Sequence, residues 1–204
     1  MIGLGYKLII LKDLLEVIGE EDTKVILSDF YCPQNADIED FLIRKAIEFE
    51  KQGISSTYLL FANYKDKRRL FGYFAVANKN LSISSKINMS NRLKSRINKF
   101  AVRDSDTREY RIPAILIAQL GKNFRDNINK EFKGEELLKI ACDKVREIQR
   151  LSSGKFVYIE CQDNYKLQDF YNNNGFYFCG KREREVYEKD LIKEKYLVQM
   201  IKYL

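Results

Sequence analysis

The chain has 204 residues, 45% of them hydrophobic and 13% aromatic, and a formal net charge of +7. That is enough apolar material for a full core, and two prolines and ten glycines leave no room for a long flexible linker, so the composition counts against disorder and for one compact domain. Histidine is absent, which removes the usual base of a Ser or Cys triad and the commonest metal ligand and counts against hydrolase and metalloenzyme chemistry.

In chain order, residues 6–11 read as a first strand and 13–20 as a short helix or turn. From Asp37 the residues Ile38, Phe41, Leu42, Ala46, Ile47 and Phe49 recur at helical spacing; Asn35 or Asp37 can cap the start, and Gly53 falls where a left-handed C-terminal glycine belongs. Residues 56–62 and 70–77 make an antiparallel pair around a charged turn at 64–69, with Phe71, Tyr73 and Ala75 alternating against Gly72, Phe74 and Val76. The connection that follows, 78–111, is too long to be structureless in a compact domain. Ser90 can cap a helix there, with Leu93, Ile97 and Phe100 on one side and Arg92, Lys94, Arg96 and Lys99 on the rest. Such a basic face is either ordinary solvated surface or a contact for a polyanion.

Ile115, Leu116, Ile117 and Ala118 form an unbroken apolar run with Pro113 at its entrance, the pattern of a central strand buried on both faces. A polar loop follows Gly121, and a helix opens at Gly134 with Leu137, Leu138, Ala141, Val145 and Ile148 on one face. The free amides and positive dipole end of that helix, with Lys130 and Lys133 beside them, suit phosphate. Residues 156–161 are a second strongly β-forming run, so strand, helix and strand imply a right-handed parallel crossover. A short helix over 164–171 ends at Asn172, Asn173, Asn174 and Gly175, and two strands at 176–180 and 196–204 close the chain with the charged segment 181–195 between them. The scattered Cys32, Cys142, Cys161 and Cys179 read as reduced core thiols. No apolar run reaches the ~18 residues of a membrane span, and the interrupted N-terminus does not read as a signal peptide, so a cytoplasmic protein is expected.

Three local patterns carry a resemblance to the GNAT superfamily of acetyl-CoA-dependent N-acyltransferases over nearly the whole chain. The family pattern Asn-x-x-Ala-x-x-Phe/Leu-Tyr, then three residues and Gly-Phe, is matched by Asn164, Phe170, Tyr171, Gly175 and Phe176, with Leu167 in place of alanine. The cofactor-loop pattern Gln/Arg-x-x-Gly-x-Gly/Ala falls on Asn129, Phe132 and Gly134, of which only Gly134 agrees. Phe30-Tyr31-Cys32, Phe41-Leu42, Ala46, Gly53, Thr57-Tyr58, Gly72-Tyr73 and Ile112-Pro113 are similar to the branch of TacT-like toxins, which acetylate the amino group of aminoacyl-tRNA.

The resemblance implies an α/β (α+β) fold: a mixed, mostly antiparallel sheet of six to seven strands flanked by helices, with a parallel pair at its centre. It implies one acyltransferase domain over 1–204 with a basic, partly helical insertion at about 78–111. Acetyl-CoA would be the cosubstrate, with no metal, held by Leu120, Gly121, Lys122, Asn129, Lys133, Gly134 and Glu135, with Asn164 on the pantetheine arm. Glu135 and Glu136 suit the helix dipole but compete with a bound phosphate. Tyr171 would lie beside the thioester sulfur as the catalytic residue, against the plainer reading of a core tyrosine. Glu160, Gln119 and Lys122 stand as candidate bases against the plainer reading of strand-end polar residues. The acceptor is a primary amine, alternatively aminoacyl-tRNA bound through 86–111, and a non-catalytic binding module is a third reading. No membrane partner is expected, and a homodimer is one option for assembly.

Overall fold

The computed structural model describes residues 5–184 and 196–204, and the chain divides into two compact units, 1–77 with 118–141 and 78–117 with 142–204. The elements in order are β1 (Lys7–Ile10), α1 (Leu11–Leu27), α2 (Ala36–Asp40), a π-helical turn (Phe41–Lys45), α3 (Ala46–Lys51), β2 (Ser56–Tyr64), β3 (Lys67–Ser84), α4 (Asn91–Phe100), β4 (Val102–Asp104) and β5 (Glu109–Lys122). After a 3-10 turn (Arg125–Lys130) come α5 (Gly134–Ser152), β6 (Phe156–Gln162), α6 (Tyr165–Asn173), β7 (Tyr177–Glu183) and β8 (Tyr196–Tyr203).

The first unit carries the strand order β1-β2-β3-β5, with β1, β2 and β3 antiparallel. Its core joins Leu11, Leu27, Phe30, Leu42, Ala46, Leu59, Leu70 and Tyr73, the last three from the sheet and the others from the chain around it. Tyr73 is edge-on to Phe30 at 5.1 Å and donates its hydroxyl to the Ile38 carbonyl at 2.6 Å, which satisfies the one polar atom it buries. The Asn35 side chain accepts from Asp37 and Ile38 N–H at 3.0 and 3.4 Å, and Gly53 (φ +67) stands after the helical run, both as the spacing predicts. Helix α1 is longer than the expected 13–20 and is broken at Gly19 (φ 81), where only glycine sits without strain.

Strand β3 is also longer than expected, continuing to Ser84 into the stretch read as a connection. On β2, Leu60 faces Gly72 while Phe61 faces Leu70, so Phe71 is the extra residue of a β-bulge. Gly72 lies against β5: a Cβ there would stand 2.7 Å from the Gly121 carbonyl oxygen. Gly121 is similarly confined, since a Cβ on it would run into the Ile38 side chain.

The second unit has the order β5-β6-β8-β7, with β4 pairing β5 off this path. The pairs Ala114 with Phe156 through Ile117 with Ile159 run parallel, whereas β6 with β8, β7 with β8 and β4 with β5 run antiparallel. This is the mixed, mostly antiparallel sheet with a parallel pair in the middle of the strand order that the resemblance implies; eight strands lie among the described residues, β4 being a three-residue addition. Ser90 caps α4 by accepting from Leu93 N–H at 3.3 Å, and Leu93 and Ile97 are buried. At the end of α4, Phe100 packs with Phe156 and Tyr203, and Arg96 lies over the Tyr203 ring at 4.4 Å. All four cysteines are free and buried, and burial pushes their thiols up from the usual range. The charged segment read between the last two strands belongs to β7 as far as Glu183, and from residue 185 to 195 it lies outside the described residues.

Candidate active site

The loop after β5 is built on Asn123, which is fully buried. Its side-chain amide donates to the Asp29 and Leu70 carbonyls at 3.0 and 2.8 Å, and its Oδ1 accepts from the Tyr31 and Arg125 amides, both at 3.0 Å. Its own N–H reaches the carbonyl of the bulge residue Phe71 at 2.8 Å, and the Phe71 ring meets Phe132 at 5.8 Å. The bulge therefore anchors both ends of the loop. Arg69 closes the outside by pairing with Asp29 and Asp126, each at 3.0–3.1 Å.

Lys122 points into this loop. Its ammonium donates to the Asn129 carbonyl at 2.7 Å and the Phe132 carbonyl at 3.0 Å and sits 5.4 Å from the Phe132 ring centre. Partial burial lowers its pKa, with Glu136 acting the other way. Asn129 and Phe132, the two positions that depart from the family pattern, thus present backbone carbonyls to Lys122, which clasps the loop shut.

At the start of α5, the Lys133 N–H donates to the Glu136 carboxylate at 2.8 Å and its side chain pairs with Glu135 at 3.5 Å. That backbone hydrogen bond lowers the Glu136 pKa. The amides of Gly134 and Glu135 are in the first helical turn, where no intrahelical acceptor exists. Of the predicted phosphate contacts, the backbone at Gly134 and Glu135 fits an anion best; Lys122 is committed to the loop, and Lys133 is exposed. Leu120 is half-buried near the end of β5, while Gly121 is buried under Ile38 and Phe30.

In the second unit, Asn164 is the N-cap of α6, accepting from Lys166 N–H at 2.9 Å, and Gly175 (φ +78) lies beyond the helix end. Tyr171, two residues before the helix ends at Asn173, is half-buried and contacts Phe170 and Phe176 with ring centres at 5.0 and 5.8 Å. Its hydroxyl has no hydrogen-bond partner among the described residues. Burial, and then the thiols of Cys161 and Cys142, push this phenol well above its usual range, so it stays protonated.

The candidate bases are engaged elsewhere. Glu160 accepts from Arg182 at 2.6 and 2.8 Å and from the Gln199 amide at 2.9 Å, across the β6-β8-β7 ladder. Gln119 donates to Asp37 at 3.3 Å. Among the described residues no group of His, Cys, Asp and Glu is placed to hold a metal, and no helix is long and apolar enough to cross a membrane.

The residues that sequence reasoning missed are Asn123 and the Asp29–Arg69–Asp126 cluster. The only local signal was the abrupt change to polar residues after Gly121.

No family model matches the chain, and no curated protein matches it. Solved structures do. AtaT complexed with acetyl-methionyl-tRNAfMet is similar at a TM-score of 0.63 and 18% identity, over 95% of this chain and 94% of that one. AtaTR bound with acetyl-CoA matches at 0.55 and 18%, over 95% and 91%, and a Tyr→Phe mutant of KacT at 0.58 and 13%, over 96% and 94%. At such identities the likeness is one of fold: the chain has the GNAT fold over nearly its whole length.

Proposed function

We propose that this GNAT-fold chain, both units together forming one acyltransferase domain, transfers an acetyl group from acetyl-CoA to a primary amine by direct attack. The observation that carries this reading is Tyr171: a half-buried phenol with no hydrogen-bond partner among the described residues, at the family pattern's tyrosine position on α6. Half-buried and not engaged by the fold among the described residues, this hydroxyl is available as a donor. Acetyl-CoA supplies an activated thioester when bound. Tyr171 then offers its hydrogen to the departing sulfur; with ordinary values of about 10 and 8.5 for phenol and thiol, full transfer is uphill by about 2 kcal/mol, and burial adds to this, so it stabilises the thiolate by hydrogen bond. Gly134 and Glu135 amides hold phosphate, Lys133, Lys122 and Asn129 shape their loop, Leu120 and Gly121 offer strand-end backbone groups, and Asn164 orients the pantetheine arm.

Isothermal titration tests the reading. Acetyl-CoA is expected to bind at micromolar concentrations; no heat at millimolar cofactor would leave a binding module without transferase activity.

A second reading, with aminoacyl-tRNA as acceptor, is favoured by one observation. Lys86, Arg92, Lys94, Lys99, Arg103 and Arg108 all lie in the insertion with no carboxylate partner among the described residues; Arg111 is paired with Asp104 at 2.9 Å. The AtaT structure with acetyl-methionyl-tRNAfMet is consistent with this acceptor class.

A further inference from the structure

In the second unit, a cavity of about 640 Å³ opens between residues 78–80 in the second half of β3, the end of α4, the start of the apolar run of β5 and the turn from α5 into β6. Its wall includes Asn78, Lys79 and Asn80, then Phe100, Lys155 and Phe156, and no carboxylate lines it. Lys79 and Lys155 are exposed and have no anionic partner among the described residues, and the side-chain amides of Asn78 and Asn80 are equally unengaged. Phe156 is completely buried, but Phe100 remains 43% exposed although two rings already pack on it. Phe100 is therefore a fixed aromatic surface that still faces out.

An aromatic face, two free ammonium groups and free amides around a concave volume match the parts of a nucleotide: a ring to stack, a phosphate to neutralise and base edges to hydrogen-bond. An acidic peptide would use the lysines and leave Phe100 and the amides idle. The cavity also adjoins α4, whose exposed Arg92, Lys94 and Lys99 extend the positive surface. We propose that this cavity is a subsite for one unpaired nucleotide of a single-stranded RNA segment, with the base on Phe100 and phosphates on Lys79 and Lys155. The proposal rests on the RNA reading above and gives it a place to grip outside the reacting end.

The test is fluorescence anisotropy of the full chain with a short labelled single-stranded RNA at about 50 and 200 mM salt. The Lys79→Glu/Lys155→Glu pair is expected to weaken binding at least about tenfold and to reduce the salt slope by about 1.4, since each single-strand phosphate contact contributes about 0.7. Phe100→Leu keeps an apolar group against Phe156 and Tyr203 and is expected to cost about fivefold or more by loss of stacking. Both variants should keep the parent's melting temperature and acetyl-CoA titration. A control pair of equal charge change, Lys12→Glu/Lys139→Glu, should stay within about threefold of the parent. If the cavity pair is no weaker than the control while reversal at Arg92, Lys94 and Lys99 still abolishes binding, the subsite falls and the RNA reading stands. No binding by the parent overturns both, and competition by polyglutamate equal to that of RNA overturns the subsite.

Discussion

At the scale of single residues, the half-buried phenol of Tyr171 is unengaged among the described residues, whereas the fully buried amide of Asn123 is fully engaged. Burial raises the Tyr171 pKa, so the hydroxyl remains a donor throughout neutral pH and contributes no ionisation there. Tyr171→Phe is expected to lower turnover about 10²-fold or more in steady-state assays with acetyl-CoA while leaving the cofactor's dissociation constant unchanged. Unaltered turnover with every amine tried would return Tyr171 to the core. Asn123 has no such freedom, because both ends of its amide are used by four backbone groups. Asn123→Ala should destabilise by about 2–4 kcal/mol, read as a lower denaturant midpoint at constant m, because it leaves buried backbone groups unpaired. Of the two, the place of Tyr171 on a short helix before Gly175 was legible from the sequence, lying within a dozen residues of the rest of its pattern. Asn123 was not, because three of its four side-chain partners lie 92, 94 and 53 positions away.

Among elements, the helices that flank the first unit are tied by charge as well as by apolar packing. Lys24 and Lys51 both bond to Glu20, joining α1 to α3, and hold its carboxyl at about 2 instead of 4.5. A depressed carboxyl contributes stability that is present above the unfolded pKa and lost as pH falls through the folded one. The melting-temperature advantage of the parent over Glu20→Gln should therefore be constant above about pH 5 and shrink steadily between pH 4.5 and 2. The pair is exposed enough for salt to weaken it, so the same advantage should fall in high salt. An advantage that grew on acidification would contradict the assignment. Element positions were largely readable because periodicity, caps and Gly53 or Gly175 are local signals. The extension of β3 to Ser84 was not, because Leu81 and Ile83 sit in a polar stretch whose pairing depends on distant strands.

For the whole molecule, the net charge of +7 becomes informative only when its distribution is known. Carboxylates neutralise Arg69, Lys51 and Arg182 within the fold, whereas the cations of α4 have no carboxylate partner among the described residues, Arg96 lying over Tyr203. If tRNA is the acceptor, reversal at Arg92, Lys94 and Lys99 should abolish binding, and the parent should lose affinity steeply between low and moderate salt by counterion release. A small-amine acceptor predicts equal kinetics for parent and variant at any salt, so the two readings separate in one titration series. The sequence by itself determined the order of elements, the central apolar strand, the caps of α2, α4 and α6, and the pattern that placed Asn164 and Tyr171 on one short helix, because each depends on neighbours along the chain. Only the tertiary structure decided which polar groups are already engaged. Lys122 turned inward to the loop it was expected to serve, Glu160 was locked by Arg182 and Gln199, and Tyr171 was left without a hydrogen-bond partner among the described residues. Hydrogen bonding is a matter of which groups meet across strands, and that is settled by register and bulges that composition and periodicity do not encode.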